Sequence, residues 1–433
     1  MKKAASRALW SLVAMTVVSA CSQPEESVSS TMQAFVGARL IDGTGAEPID
    51  NSVILVDSGV IVSAGSAASV TIPEGTPTVD LAGRTVIPGL INTHGHAGDV
   101  IGLERGNYSR ENVLDQLGLY ARYGVTTVVS LGGDGPEAVQ IRDEQTAADL
   151  DRARIFVAGP VLTPTTPAEA VEQVSEVAEM GVDWVKIRID SALGTATPMN
   201  RETYTAVIEE AHRRGLPVAV HIIELADAKG ALAAGADFIA HSVRDLPVDE
   251  EFIAAMTSGD VCYSPTLTRE LSTFVYGSRP DFFDDPFFLR EVDPAVIATL
   301  EEPARQQAMQ QNAGARYWEA HLPVAEENLK RLSDAGVTIG MGTDTGPPGR
   351  FQGYFEHLEL EMMADAGMTP MQILVSATGD AARCANLDEV GTIEAGKRAD
   401  FIVLTADPLA DILNTRSIES VWINGNPVPG IAG

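Results

Sequence analysis

Five side chains in this sequence could converge on a divalent cation: His94 and His96, His221, His241 and Asp344. Each stands at or just beyond the end of a short apolar run, and their nitrogen and oxygen donors suit a metal of zinc type. In a strand, residues two apart face the same way, so His94 and His96 point to one side, with Gly95 letting the chain turn tightly between them. Asp344 lies in the glycine-rich stretch Gly340-Met341-Gly342-Thr343-Asp344-Thr345-Gly346. Lys186, in Asp183-Trp184-Val185-Lys186-Ile187-Arg188, holds an equally strand-terminal position. A plain ammonium would repel cations. Carboxylated by carbon dioxide to N6-carboxylysine, the same residue becomes an anion able to bridge two metals.

Convergence of this kind requires elements that deliver strand ends to one mouth, which a parallel α/β barrel does. Candidate strands are read near Thr85–Thr93, Thr126–Leu131, Arg154–Ala158, Trp184–Ile189, Pro217–His221, Asp237–His241, Val261–Ser264 and Thr338–Thr343. Helical patterns follow most of them, for example Arg201–Arg214 stopped by Gly215 and Leu225–Ala234 stopped by Gly235. The expected fold is α/β, a (β/α)8 TIM barrel over 85–390. An open doubly wound sheet is the rival, but no G-x-G-x-x-G follows an early strand. Both flanks, 34–84 and 391–433, carry short alternating strands and are expected to complete one small discontinuous β-sandwich domain. The aromatic- and proline-bearing stretch 265–320 is too long for an ordinary connection and is expected to form a partly helical lid over the mouth.

The run Val86-Ile87-Pro88-Gly89-Leu90-Ile91-Asn92-Thr93-His94-Gly95-His96 resembles the amidohydrolase superfamily. So does the return segment from Gly391 to Phe401, while Gly235-Ala236-Asp237-Phe238-Ile239-Ala240-His241 resembles its prolidase-like and imidazolonepropionase-like branch, which uses two metals. The resemblance implies that His94, His96 and Asp344 hold the more buried ion, and that carboxylated Lys186 bridges to a second ion on His221 and His241. It implies a bridging hydroxide as nucleophile, Asp344 as proton shuttle, and His241 or the second ion polarising the scissile carbonyl. Two divalent ions are expected, zinc first, with iron, manganese or cobalt compatible with the same donors.

For substrate binding, Arg188 is the leading candidate, two residues beyond Lys186 and on the same side, with a guanidinium suited to a carboxylate. Tyr263, Arg244 and Arg350 are further candidates. His212 reads as a residue of a solvated helix face and His321 as structural or lid surface; His357 reads as packing or support for the site. The expected activity is hydrolysis of an amide or peptide bond in a small molecule, of dipeptide or N-acyl amino acid type. Alternatives are cyclic-amide or imidazolone ring opening, lactone or ester hydrolysis, and a non-catalytic binding lipoprotein. Deamination fits less well, because that branch works without a strand-end lysine carboxylate.

A net charge of −30 disfavours nucleic acid and anionic membrane surfaces as partners. Lys2, Lys3 and Arg7 precede the apolar run Ala8–Val18, and Val18-Ser19-Ala20 then precedes Cys21. This pattern is expected to be a lipoprotein signal over 1–21, with cleavage before a lipidated Cys21 and a flexible tether over 22–33. The expected location is the bacterial cell envelope, anchored in the outer membrane and facing the periplasm; a homo-oligomer is compatible with the chain. Cys262 and Cys384 are expected to be buried free thiols.

Overall fold

The computed structural model describes residues 31–259 and 261–431. The expected signal segment, Cys21 and most of the tether lie outside the described residues. Among those described, no helix is long and apolar enough to cross a membrane.

Both ends of the described chain build two facing sheets. The first, in the order β4-β3-β1-β5, comprises β1 (Gln33–Val36), β3 (Ser52–Asp57), β4 (Val60–Ser66) and β5 (Thr78–Asp80). The second, in the order β16-β15-β14-β6-β2, joins β2 (Arg39–Leu40) and β6 (Thr85–Pro88) to β14 (Phe401–Leu404), β15 (Ile418–Ile423) and β16 (Asn426–Pro427). Phe35, Ile54 and Val56 from the first sheet share an apolar cluster with Val86, Phe401 and Val403 from the second. Phe35 and Phe401 meet edge to face at 4.8 Å.

The run expected as one strand over Thr85–Thr93 is two. β6 pairs with β14, whereas β7 (Leu90–Gly95) pairs in parallel with β8 (Val125–Ser130). The break falls at Gly89, after a proline that has no N–H to give a ladder. A Cβ at Gly89 would lie 2.1 Å from Thr126 Oγ1, so only glycine lets the chain cross from one sheet to the other there.

β7, β8 and β9 (Arg154–Val157) form a parallel sheet, and β10 (Val185–Arg188), β11 (Val218–His221), β12 (Phe238–Ala240) and β13 (Cys262–Ser264) form another. Their residues are almost all buried, as expected of parallel strands covered on both faces. Beyond β9, an isolated parallel bridge joins Leu162 to Ile187 of β10. The expected eighth strand, Thr338–Thr343, forms no regular ladder; an extended segment takes its place. That segment bridges Tyr263 through Ile339 and Gly95 through Thr345, and Met341 O accepts from Thr93 N at 2.9 Å. Hydrogen bonds thus lead from β13 back to β7.

Helices cover these strands for reasons visible in sequence. In Arg201–Arg213, Asn200 caps the Thr203 N–H, and Tyr204, Val207, Ile208 and Ala211 make one buried face. Leu225–Ala234 stops where Gly235 takes φ 96°. The insertion after β13 is helical in short pieces and runs into the long helix Ala313–Asp334. Phe283 and Phe288 stack at 5.6 Å, and Phe288 meets Tyr354 at 5.0 Å, tying the insertion to the helix Tyr354–Asp365.

Cys262 and Cys384 correct an expectation: they form a disulfide, with Cα atoms 5.5 Å apart. β13 and the helix Gly379–Cys384 bring them together across 122 residues, a proximity that sequence spacing conceals.

Candidate metal centre

His94 lies within β7 and His96 one residue beyond it, while Asp344 precedes the bridge at Thr345. The Asp344 carboxylate draws these segments together: Oδ1 is 2.8 Å from His96 Nε2 and 3.7 Å from His94 Nε2. His96 Nδ1 donates to Gly132 O at 2.7 Å, which leaves Nε2 as the nitrogen facing Asp344. Glycines permit this close packing. A Cβ at Gly342 would lie 2.3 Å from Ser264 Oγ, and one at Gly346 would lie 2.4 Å from His96 O.

Lys186 comes from β10, His221 ends β11 and His241 directly follows β12. Lys186 Nζ is 3.3 Å from His94 Nε2. The His241 ring lies 4.6 Å from that of His94 and 4.2 Å from that of His221. All six expected ligand residues therefore gather at one place. His241 and Asp344 adopt φ of 75° and 56°, left-handed backbone that costs a non-glycine residue about 1–3 kcal/mol and concentrates at functional sites. Thr266, at φ 49°, fixes the His241 ring through its hydroxyl, 2.8 Å from Nδ1.

The protonation states follow from burial and charge. Burial, reinforced by nearby Lys186, holds His94 and His221 well below the usual histidine range. Burial and then the His221 and His94 rings do the same to His241. Burial likewise pushes the Lys186 amine down to about 7, against the pull of Asp344 and Asp190. Burial opposes the charge of Asp344, but Arg350 and then the adjacent His96 outweigh it and hold the carboxyl well below its ordinary value.

Beneath the ligands is a support that sequence reading missed. Asn92 Oδ1 accepts from His94 N at 2.9 Å, and its amide donates to Glu356 Oε1 at 2.6 Å. The same Glu356 oxygen accepts from Thr343 and Thr345, on either side of Asp344, at 2.8 and 2.7 Å. Glu359 accepts from Leu267 N and Thr268 N at 2.7 Å each, securing the turn that carries Thr266. Glu356 and Glu359 stand one helical turn apart in the helix Tyr354–Asp365, which is buried on nearly every side.

The candidate substrate residues are placed differently. Arg188 donates to Asp190 from Nε and Nη2, both at 3.1 Å. The Tyr263 hydroxyl is fully buried and accepts from Val243 N at 2.8 Å. Arg350 Nη1 contacts Asp344 Oδ2 at 2.5 Å, and Arg244 is fully buried beside Glu270. Sequence reading also missed Arg269, Glu270 and Trp318. The first two lie in the short helix Leu267–Ser272 that follows β13, and that closeness to a strand end is the signal that would have found them. His357 hydrogen-bonds to Tyr123 O at 2.7 Å and contacts Thr415, so it joins helix to chain end. His212 pairs with Asp237 on an exposed helix face, and His321 stacks on Tyr317.

The donor set fits a divalent ion. Ligand atoms of His94, His241 and Asp344 all lie within 4.8 Å of one another. His94 Nδ1 and His221 Nε2 are buried without a hydrogen-bond partner, although Asp190 Oδ2 lies 3.2 Å from the latter. Neutral imidazoles and an ionised carboxylate are the forms in which these residues bind metal.

The family model for the amidohydrolase family matches residues 85–428. The chain belongs to that family and is a hydrolase acting on carbon–nitrogen bonds. It is 24% identical over 417 residues to an imidazolonepropionase of Rhodococcus jostii, covering 87% of this chain and 88% of that protein. Its fold matches a Xaa-Pro dipeptidase with methionine bound in the active site, with TM-score 0.74, 24% identity and coverage of 92% and 100%. It also matches the ochratoxinase of Aspergillus niger, with TM-score 0.72, 20% identity and coverage of 92% and 96%.

Proposed function

We propose that the chain hydrolyses an amide or peptide bond in a dipeptide or N-acyl amino acid, using two divalent ions. The single observation that carries this is the meeting of His94, His241 and Asp344 ligand atoms within 4.8 Å, with Lys186 against His94. In this reading the parallel strands form a (β/α)8 barrel, and the two facing sheets form a β-sandwich built from both ends. His94, His96 and Asp344 would hold one ion and His221 with His241 the other, with carboxylated Lys186 as a further anionic ligand. A buried amine pushed down to about 7 is substantially neutral, the form that captures carbon dioxide. Zinc suits the donors best, and when bound the ions supply a water of lowered pKa and a positive field for the carbonyl oxygen.

The chain's own residues do the rest. Asp344, kept ionised, accepts the proton of the attacking water and returns it to the departing nitrogen. His241, held at Nδ1 by Thr266, presents Nε2 toward the site. A lipid on Cys21, exposed by cleavage of the segment before it, is proposed to anchor the enzyme in the envelope, facing the periplasm.

The test is a panel of dipeptides and N-acyl amino acids assayed with added zinc. Turnover of at least one member, lost in Lys186→Ala, is expected; no member turned over above that variant rejects the substrate class. A second reading, opening of a cyclic amide such as an imidazolone, draws support from the imidazolonepropionase relative, which matches over most of both chains.

A further inference from the structure

Beside the centre lies a buried group of charges for which the ligand set has no use. The guanidinium carbons of Arg244 and Arg269 each stand 4.7 Å from the middle of the Trp318 indole, which the long helix of the insertion supplies. Glu270 serves both arginines. Arg269 Nη1 donates to Oε2 at 2.7 Å, while Arg244 Nε is 3.2 Å from Oε1 but misaligned for a hydrogen bond. Arg244 Nε and Nη2, Arg269 Nε and Glu270 Oε1 are all buried without hydrogen-bond partners. Two guanidiniums therefore share the one carboxylate of Glu270, and their spare donors make no hydrogen bond among the described residues. Buried donors left unpaired are destabilising, and more so when they carry charge.

The group adjoins the centre, since Arg269 Nε is 3.9 Å from Asp344 Oδ2. Its neighbours have partners already: Arg188 spends Nε and Nη2 on Asp190, and Arg350 spends Nη1 on Asp344. Arg244 is anchored through Nη1 to Ser242 O and Ile222 O, so only its far edge is free.

We propose that Arg269, backed by Arg244 and seated on Trp318, receives the free carboxylate of the substrate. This deepens the amide or peptide reading and rests on it: the preferred substrates carry an ionised carboxylate, and their amides and esters are poor ones. Arg269 is then a specificity-determining residue, and Arg244 and Trp318 position it.

The test uses the zinc-loaded protein and calorimetric titration with L-leucine and with L-leucinamide, the same side chain without the carboxylate. The wild type is expected to bind leucine about tenfold more tightly than the amide, the worth of one charged hydrogen-bonding partner. Arg269→Gln is expected to erase that ratio with metal content unchanged, and Arg269→Lys to retain part of it. If the Gln variant loses metal, the Lys variant decides: a ratio equal to wild type overturns the proposal. So does a wild type that does not discriminate, or a ratio lost in Arg188→Gln and kept in Arg269→Gln. Binding is read without turnover, so an enzyme that discriminates yet hydrolyses no acyl amino acid refutes the substrate class and leaves the carboxylate site standing.

Discussion

Arg350 reaches Asp344 Oδ2 at 2.5 Å, on the carboxylate whose other oxygen faces His96 at 2.8 Å. One side chain is thus shared between the ligand cluster and a guanidinium from the next loop. Arg350 is the largest favourable influence on the Asp344 anion, acting against burial. Replacing it by glutamine raises the Asp344 pKa, so the carboxyl takes up its proton at higher pH. The acid limb of the kcat/KM profile of Arg350→Gln is expected to move to higher pH than in wild type. A limb that stays in place or moves lower contradicts the assignment of Asp344 as proton acceptor.

Glu359 holds two backbone N–H groups at the start of the helix Leu267–Ser272, next to the Thr266 that fixes His241. Glu359→Ala leaves both donors buried and unpaired, a loss of about 2–5 kcal/mol by the usual cost of such groups. Urea unfolding is expected to show that loss, and kcat is expected to fall because the His241 ring is released. Wild-type stability together with wild-type kcat would contradict this.

The disulfide between Cys262 and Cys384 closes a segment of 122 residues. A cross-link over a loop of that size stabilises by about 2–5 kcal/mol. Cys262→Ser with Cys384→Ser, or reduction of the wild type, is expected to lower the thermal midpoint by several degrees. The two treatments together are expected to lower it no further than the substitutions alone. A wild-type midpoint insensitive to reductant under unfolding conditions would oppose the pairing.

What was legible in the sequence, and what was not, divides along range. His221 and His241 each close an apolar run bounded by turn residues, so local pattern placed them at strand ends, and the H-x-H spacing set His94 and His96 on one side. Even the helix Leu225–Ala234 matches its sequence expectation residue for residue. The failures concern partners far apart in the chain. Gly89 looks like a tolerable interruption until Thr126 is packed against it. The segment after Val337 has strand-like composition, yet its glycines and the left-handed turn at Asp344 leave only isolated bridges. Cys384 meets Cys262 because of how a late helix docks, and Arg269 lies in a stretch whose length reads as a lid.

His357 offers a test of how helix and chain end are joined. Burial pushes its pKa down to about 3 from 6.5, so the folded protein keeps it neutral. The unfolded chain takes up a proton there first as pH falls below 6.5, so the contribution is complete above that pH and is lost as pH drops toward 3. Between neutrality and about pH 5 this amounts to about 1–2 kcal/mol. Chemical unfolding at the two pH values is expected to show a shallower decline in His357→Gln than in wild type. Equal slopes would mean that this histidine is not held neutral.

The central claim is that a carboxylated lysine ties two ions together among four histidines and an aspartate. Elemental analysis of protein loaded with zinc and bicarbonate, then freed of excess metal, tests it most directly. The account predicts about two ions per chain in wild type, the number a two-metal site holds, and a clear loss in Lys186→Ala. Background metal in the wild type, or an unchanged content in Lys186→Ala, would contradict it.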